Sequence, residues 1–303
     1  MNRELRAFAG FPTCEDLAAL TADIAILGIP WGVPYDAGSY PSADAPQAIR
    51  RQSLRYPEDV FSWDFDLGGT LLGGSPIKVV DCGDLPGDAQ DPDGNLQRGT
   101  AAVQAILDAG STPLILGGDD SIPNMVFPAF EAYGPINILQ IDAHIDWRDE
   151  VGGIAHGFSS PMRRASELPW IDRIIQVGAR GTGTARREEY EAALSYGADI
   201  ITAAQVHQWG IQAVIDRVPA GRPCYLTIDC DGLDPSIMPG VWSPAPGGLT
   251  YHQTLELMRG VHRKCGLAGL NLVEFVPARD VNSMGEITAM RIVWNFIGEL
   301  AKT

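Results

Sequence analysis

The sequence predicts an α/β fold, an open and doubly wound, mainly parallel sheet of about eight strands flanked by helices. Three observations predict it. Short apolar runs recur throughout the 303 residues. Most of those runs are continuously apolar rather than alternating, as strands covered on both faces must be. Between them lie segments with helical spacing, the strand–helix alternation of a doubly wound sheet.

The elements follow in order. DIAILGI (23–29) reads as the first strand. Region 30–76, rich in Gly, Pro, Asp and Ser, is broken by the helical stretch APQAIRRQSLR and reads as a long structured insertion. IKVVDCG (77–83) is the second strand, and DPDGN supplies a turn-and-cap signal for helix 94–110. PLILGG (113–118) precedes helix 122–132, and INILQID (136–142) and IIQVG (174–178) precede helix 184–196. DIIT (199–202) leads to helix 203–217, and CYLTID (224–229) to helix 250–264, with Thr250 as its N-cap. GLNLVEF (269–275) is the last strand, and helix 284–301 closes the chain. No linker, low-complexity stretch or internal repeat divides these elements, so residues 1–303 are expected to form one domain.

Composition narrows the function. Lys and Arg total 22 against 38 Asp and Glu, a formal net charge of −16, which argues against nucleic acid and anionic membrane as partners and favours a cationic small ligand. No apolar run has the roughly 18–20 residues of a membrane span, and the N-terminal MNRELRAFAGFPTCEDL has no secretory pattern. The five cysteines are scattered without a CxxC pair, as reduced thiols in a cytoplasmic protein would be.

Three acidic clusters stand where predicted strands end, which is where open parallel sheets gather ligands. LILGG runs into Asp119 and Asp120, INILQI into DAHID, and CYLTI into DCD. Along an extended segment Asp142, His144 and Asp146 face one way, as do Asp229 and Asp231. A lone DxD at a strand end is more often a cap or turn. Several carboxylates and an imidazole brought within a few ångströms would instead repel one another, and a pair of divalent cations would relieve that cost. Oxygen and imidazole donors without thiolate suit Mn²⁺, with Ni²⁺, Fe²⁺, Co²⁺ or Zn²⁺ also open. Among the five histidines, His207, His252 and His262 fall in helical patterns and read as surface residues. His156, after a Gly-Gly pair, reads equally as a loop residue or a catalyst. Glu274, at the end of an apolar strand, must be paired or solvated, and an ion pair with an arginine would satisfy it.

Together these segments resemble the ureohydrolase family of arginases, agmatinases and their relatives. GGDDS (117–121) is similar to the family's GGDHS, DAHID (142–146) to DAHxD, and TIDCDGLDP (227–235) to SxDxDxxDP. HGFSSPMRRASE (156–167) resembles an agmatinase-type HGTPFRRAxE segment, while PGGLTYHQ (246–253) and LVEFVPARD (272–280) resemble PGGLT and VVEVxPxxD. The resemblance implies an arginase-like three-layer α/β/α fold. It also implies a hydrolase with two manganese ions (nickel in some members) that cuts a small guanidino compound to urea and an amine by a metal-bridging hydroxide. By resemblance Asp142 and Asp229 bridge the metals, Asp146 and position 120 complete one ion's ligands, and His144 and Asp231 the other's. Asp146 also joins the catalytic set, His156 is the proton shuttle, and Glu274 binds the guanidinium. Asp119 and Asp234 orient ligands and nearby backbone. The family implies a homo-oligomer, a trimer or hexamer.

Two positions depart from the pattern. Position 120 is Asp where the family has His. Four carboxylates and two imidazoles balance two divalent ions, whereas five carboxylates and one imidazole leave a net charge of −1. That predicts tighter binding of a hard cation and either an alkaline optimum or an altered metal preference. The rival expectation is a weakly active or non-catalytic subunit in a hetero-oligomer with a paralogue. In PGVWSPAPGG (239–248), Trp242 stands near the expected mouth, where it could stack on a guanidinium or pack over its loop. Tyr35 and Asp36 could join it there. Agmatine, guanidino acids, guanidine and substituted guanidines or biguanides all remain open as substrates.

Overall fold

The computed structural model describes residues 7–36, 38–55 and 57–302. Eight strands form one sheet: β1 (Ile24–Ile29), β2 (Val79–Asp84), β3 (Thr112–Gly117), β4 (Ile136–Ile141), β5 (Ile171–Ala179), β6 (Asp199–Thr202), β7 (Cys224–Asp229) and β8 (Leu267–Val273). Their spatial order is β2-β1-β3-β8-β7-β4-β5-β6, and every pairing is parallel. β1, β4 and β7 are buried at every position, which explains why their sequences do not alternate.

Alternate strand residues feed two separate cores. On one face Ile24, Leu116, Ile141, Leu226 and Leu270 pack with Ile49, Val214, Leu255 and Ile292. These last four come from α1 (Ala45–Ser53), α7 (Ile211–Ile215), α8 (Tyr251–Cys265) and α9 (Met284–Leu300). On the other face Ala25, Ile115, Ile138, Ile174 and Tyr225 pack with Val103, Met125, Met162 and Ala193. Those four come from α2 (Pro92–Asp108), α3 (Pro123–Val126), α4 (Pro161–Ala165) and α5 (Arg187–Tyr196). The result is the expected three-layer α/β/α arrangement.

Differences from the sequence reading have local causes. The expected helix 203–217 is two, α6 (Ala203–Trp209) and α7, because Gly210 adopts φ +80° and ψ 161° between them. The expected helix 122–132 shortens to α3 and a 3₁₀ turn at Phe127–Phe130, with Pro128 in the turn. α2 begins at Pro92, with the Asp91 side chain accepting from the Gly94 N–H. In α8 the Thr250 Oγ1 does cap, accepting from the Gln253 N–H at 3.3 Å. His262 is half-buried rather than superficial, with its Nδ1 buried and unpartnered. Among the described residues no helix is long and apolar enough to cross a membrane.

β8, the last strand in the chain, sits between β3 and β7. The strands β3, β8, β7 and β4 are therefore contiguous at the sheet's centre. They are the four strands whose carboxyl ends carry Asp119–Asp120, Glu274, Asp229–Asp231 and Asp142–Asp146.

Candidate metal centre

The acidic residues converge through tight turns rather than through strand alternation. β4 stops at Ile141, and the His144 N–H donates to Asp142 Oδ1 at 2.6 Å. Asp146 takes φ +51°, a left-handed conformation costly for a non-glycine residue. After β7 the chain enters a 3₁₀ turn over Cys230–Gly232, and the Asp231 N–H donates to Asp229 Oδ1 at 2.7 Å. After β3, Gly118 passes the backbone of Pro30 so closely that a Cβ there would lie 2.7 Å from the Pro30 carbonyl oxygen. The turn delivers Asp120, whose N–H donates to Glu274 Oε1 at 2.9 Å. Glu274 is itself left-handed, at φ +62°. Two strained residues in one pocket mark a site where local energy is spent on placing side chains.

Two ligand groups result. Donor atoms of Asp142, His144 and Asp231 lie within 4.8 Å of one another, and so do those of Asp120, Asp142 and Asp229. The two groups share Asp142, the arrangement expected of two neighbouring cations with a common carboxylate. His144 Nδ1 stands 3.1 Å from Asp231 Oδ2 and 3.4 Å from Asp142 Oδ1. Asp146 stands beside Asp142, held by the same amide: Gln140 Nε2 donates to Asp142 Oδ2 at 2.7 Å and to Asp146 Oδ2 at 2.6 Å. Position 120 thus lies inside the cluster, and the non-catalytic reading, which drew on that substitution, gains no support from its placement.

Electrostatics fit divalent cations. Burial pushes the carboxyls of Asp120, Asp142 and Asp229 well above the ordinary range, and neighbouring carboxylates add to the shift: Asp146 on Asp120 and Asp142, Asp231 on Asp229. Burial also raises Asp146 and Asp119. Glu274 is pushed up to about 8 by burial and then by Asp119. His144 moves the other way from its burial, up to about 9, because Asp231 accepts its proton and opposes its charge. Asp231 is correspondingly lowered, its own burial being outweighed by His144. Asp120 Oδ2 and Asp119 Oδ2 are buried with no hydrogen-bond partner. Buried anionic oxygens need a counterion, and this donor set of carboxylates with one imidazole is the hard-to-borderline kind that divalent first-row cations take.

The cluster opens into a cavity of about 340 Å³ whose floor includes Asp120, His144, Asp146, Asp229, Asp231 and Glu274. Tyr35, Asp36 and Trp242 line its mouth. Asp119 reaches the mouth indirectly. It accepts from the Ser121 hydroxyl, and Ser121 Oγ accepts the Val33 N–H at 2.6 Å, which ties down the segment carrying Tyr35. Asp234 touches none of the acidic cluster. It accepts from the Ser236 N–H at 3.0 Å and the Gly247 N–H at 2.9 Å, and so pins its loop. His156 is not among the residues lining this cavity. It lines a neighbouring groove with Gln97, Asn124 and Arg164, where Asn124 Nδ2 donates to its carbonyl at 2.9 Å. Burial and then Arg164 lower its pKa.

Three supporting residues escaped the sequence reading. Gln176 Nε2 donates to Gln140 Oε1 and to the Ile145 carbonyl (2.7 Å), and Trp147 Nε1 donates to Gln176 Oε1 at 2.7 Å. This relay orients the amide that holds Asp142 and Asp146. The signal was present: one glutamine near the end of each of two apolar strands, INILQI and IIQVG. Arg180, just beyond β5, spends its guanidinium on backbone carbonyls, among them those of Asp231 (2.5 Å) and Ala245 (2.7 Å). It staples the Asp231 turn to the loop before α8.

A family model described as the arginase family matches residues 22–298. The chain is 32% identical over 271 residues to an agmatinase of Blochmanniella floridana, a match covering 86% of this chain and 82% of that one. It is 29% identical over 316 residues to a guanidinopropionase of Pseudomonas aeruginosa, covering 99% and 95%. The crystal structure of proclavaminate amidino hydrolase from Streptomyces clavuligerus superposes with a TM-score of 0.85 at 26% identity, covering 99% of this chain and 98% of that one.

Proposed function

This chain belongs to the arginase family, hydrolases acting on the C–N bonds of linear amidines, and from that premise we propose that it cleaves a small guanidino compound to urea and an amine with two divalent ions, Mn²⁺ before Ni²⁺. One observation carries the reading: two donor groups are joined through Asp142, and their other members, Asp120, Asp229, His144 and Asp231, line a cavity that also holds the buried carboxyl of Glu274. Asp120, Asp142 and Asp229 would hold one ion and Asp142, His144 and Asp231 the other, with Asp146 beside them. Bound there, the metals supply an acidified water and positive charge for the developing tetrahedral centre. The chain's own residues do the rest. Glu274 takes the planar guanidinium, whose N–H fork matches a carboxylate. The Asp120 N–H fixes one Glu274 oxygen at 2.9 Å. Gln140 restrains Asp142 and Asp146 against their mutual repulsion. His156 as proton shuttle requires its loop, latched by Asn124, to turn toward the cavity.

The test is urea release across guanidino compounds with Mn²⁺ and Ni²⁺ supplied separately, together with elemental analysis. About two metals per chain with urea release is expected. Less than one metal and no turnover in either condition overturns the reading. Glu274→Ala should abolish substrate use and spare metal content, and loss of metal would contradict its role.

Assembly as a homo-oligomer belongs to the same proposal. Asp64 and Asp66 turn inward to Arg291, while aromatic side chains of the same segment face water: Phe61, Trp63 and Phe65 are 81, 64 and 90% exposed. An aromatic face of that kind favours a second copy. Light scattering on the purified chain should give a multiple of 32.6 kDa, and a monomer would refute it.

A further inference from the structure

The cavity's walls differ from its floor. Above the carboxylates it is lined by Pro34, Tyr35, Pro41, Phe158, Val241 and Trp242. These rings are held in place. Tyr35 packs on Phe158 with centroids 4.4 Å apart, and its hydroxyl is engaged, accepting the Ser159 N–H at 3.1 Å. A Cβ at Gly157 would fall 2.1 Å from the Tyr35 ring, so the glycine makes room for that seat. The Trp242 indole is clamped from the side of Arg279, whose guanidinium lies 4.0 Å from the ring centroid and whose Nη1 donates to the Trp242 carbonyl at 2.8 Å.

Charge at the mouth is informative. Among the described residues lining the cavity there is no lysine or arginine. A substrate ending in a carboxylate would find no cationic partner there, and Asp36 would repel it. Away from the floor, a substrate ending in an ammonium would find one carboxylate, Asp36, exposed and screened by water, with the uncharged Ser39, Ser159 and Ser243 and an Arg279 guanidinium stacked on Trp242. An apolar substituent finds three aromatic rings and two prolines.

Resting on the guanidino hydrolysis proposed above, we infer that the pocket selects guanidines with a short, uncharged, apolar substituent, the N-alkylguanidines, over those ending in an amine or a carboxylate. The reaction balances: water adds to the guanidinium carbon, the bond from that carbon to the alkylated nitrogen breaks, and urea and a protonated alkylamine leave. Each methylene buried against the collar should raise kcat/KM by about fourfold.

The metal-loaded enzyme should be assayed for urea release with methyl-, ethyl- and n-propylguanidine, agmatine and 4-guanidinobutyrate. In parallel, calorimetry should measure binding of n-propylguanidinium and agmatine. The expected result is a rise in kcat/KM from methyl to propyl, with propylguanidine at least tenfold above both charged-tail compounds. Trp242→Ala and Phe158→Ala should each lower the propylguanidine-to-agmatine ratio severalfold. Agmatine or 4-guanidinobutyrate matching propylguanidine overturns the inference, as does an unchanged ratio in both variants. If no compound releases urea, the proposed function fails, and calorimetry still decides this one: agmatine bound as tightly as propylguanidinium overturns it.

Discussion

Removing divalent metal should destabilise the protein far more at pH 8 than at pH 6.5. In the metal-free chain Glu274 holds its proton up to about pH 8, against an ordinary value of 4.5, because it is buried and faces Asp119. The stability gained from that raised pKa is complete below pH 4.5 and is lost as pH climbs through 8. His144 is raised from 6.5 to about 9, so its contribution is complete below pH 6.5 and fades as pH climbs through 9. Between pH 6.5 and 8 the folded chain therefore keeps on average about 1.6 protons that the unfolded chain has released, since unfolded His144 is half protonated at the lower limit and folded Glu274 half deprotonated at the upper. At about 1.4 kcal/mol per proton per pH unit, stability should fall by about 3 kcal/mol across that window. The raised carboxyls of Asp120, Asp142 and Asp229 act in the same direction. Asp231, which is lowered, acts only below its ordinary 3.8. For a chain of this size the loss corresponds to a drop of about 5 °C in Tm. Bound divalent ions displace the His144 proton and, by their charge, favour the ionised form of nearby Glu274, so the metal-loaded protein should show no such decline. Scanning calorimetry at the two pH values, in chelator and in saturating Mn²⁺, measures the difference. A metal-free Tm that is flat or rises with pH would refute the reasoning, as would Mn²⁺ failing to cancel the drop.

Asp120→His restores the charge balance of the donor set and should move the pH optimum of urea release downward; an unchanged pH–rate profile and metal content would remove position 120 from the metal's ligands. Arg291→Met strips the partner from Asp64, whose side chain is 7% exposed. It should cost about 3 kcal/mol in urea melts at pH 7. Against the effect of burial, Arg291 holds Asp64 below the usual carboxylate range, and the Tyr251 hydroxyl and then Arg291 do so for Asp66, so that cost should shrink as pH falls below 4. Gly157→Ala puts a methyl where the Tyr35 ring stands. It should raise KM severalfold while kcat changes little, and steady-state kinetics with an unchanged KM would show that the ring does not contact substrate.

All eight strands could be read from the sequence, because a strand buried on both faces must be a short unbroken apolar run and the chain has few other such runs. Strand order could not. Nothing local in GLNLVEF announces that it inserts between β3 and β7, and that insertion is what carries Glu274 to Asp120. The clustered acids were legible because carboxylates crowded at buried strand ends repel one another unless a cation lies between them. The means of their convergence was not. Left-handed Asp146 and the 3₁₀ turn at Cys230–Gly232 replace the extended alternation that the spacing suggested. Gln140 and Gln176 were missed because a lone glutamine in an apolar run looks the same whether it meets water or a buried partner. His156 stands on a loop whose backbone is latched by Asn124, a contact 32 residues away along the chain that the local sequence does not announce.

The place of β8 has a consequence for synthesis. Until residues 267–273 leave the ribosome, β2-β1-β3 and β7-β4-β5-β6 are separate ribbons, each with a bare hydrogen-bonding edge where its neighbour belongs. The nascent chain cannot weld them, and between the emergence of β7 and that of β8 it carries two adhesive borders in a crowded cell. A truncation before Leu267 should therefore yield insoluble protein rather than a smaller soluble one.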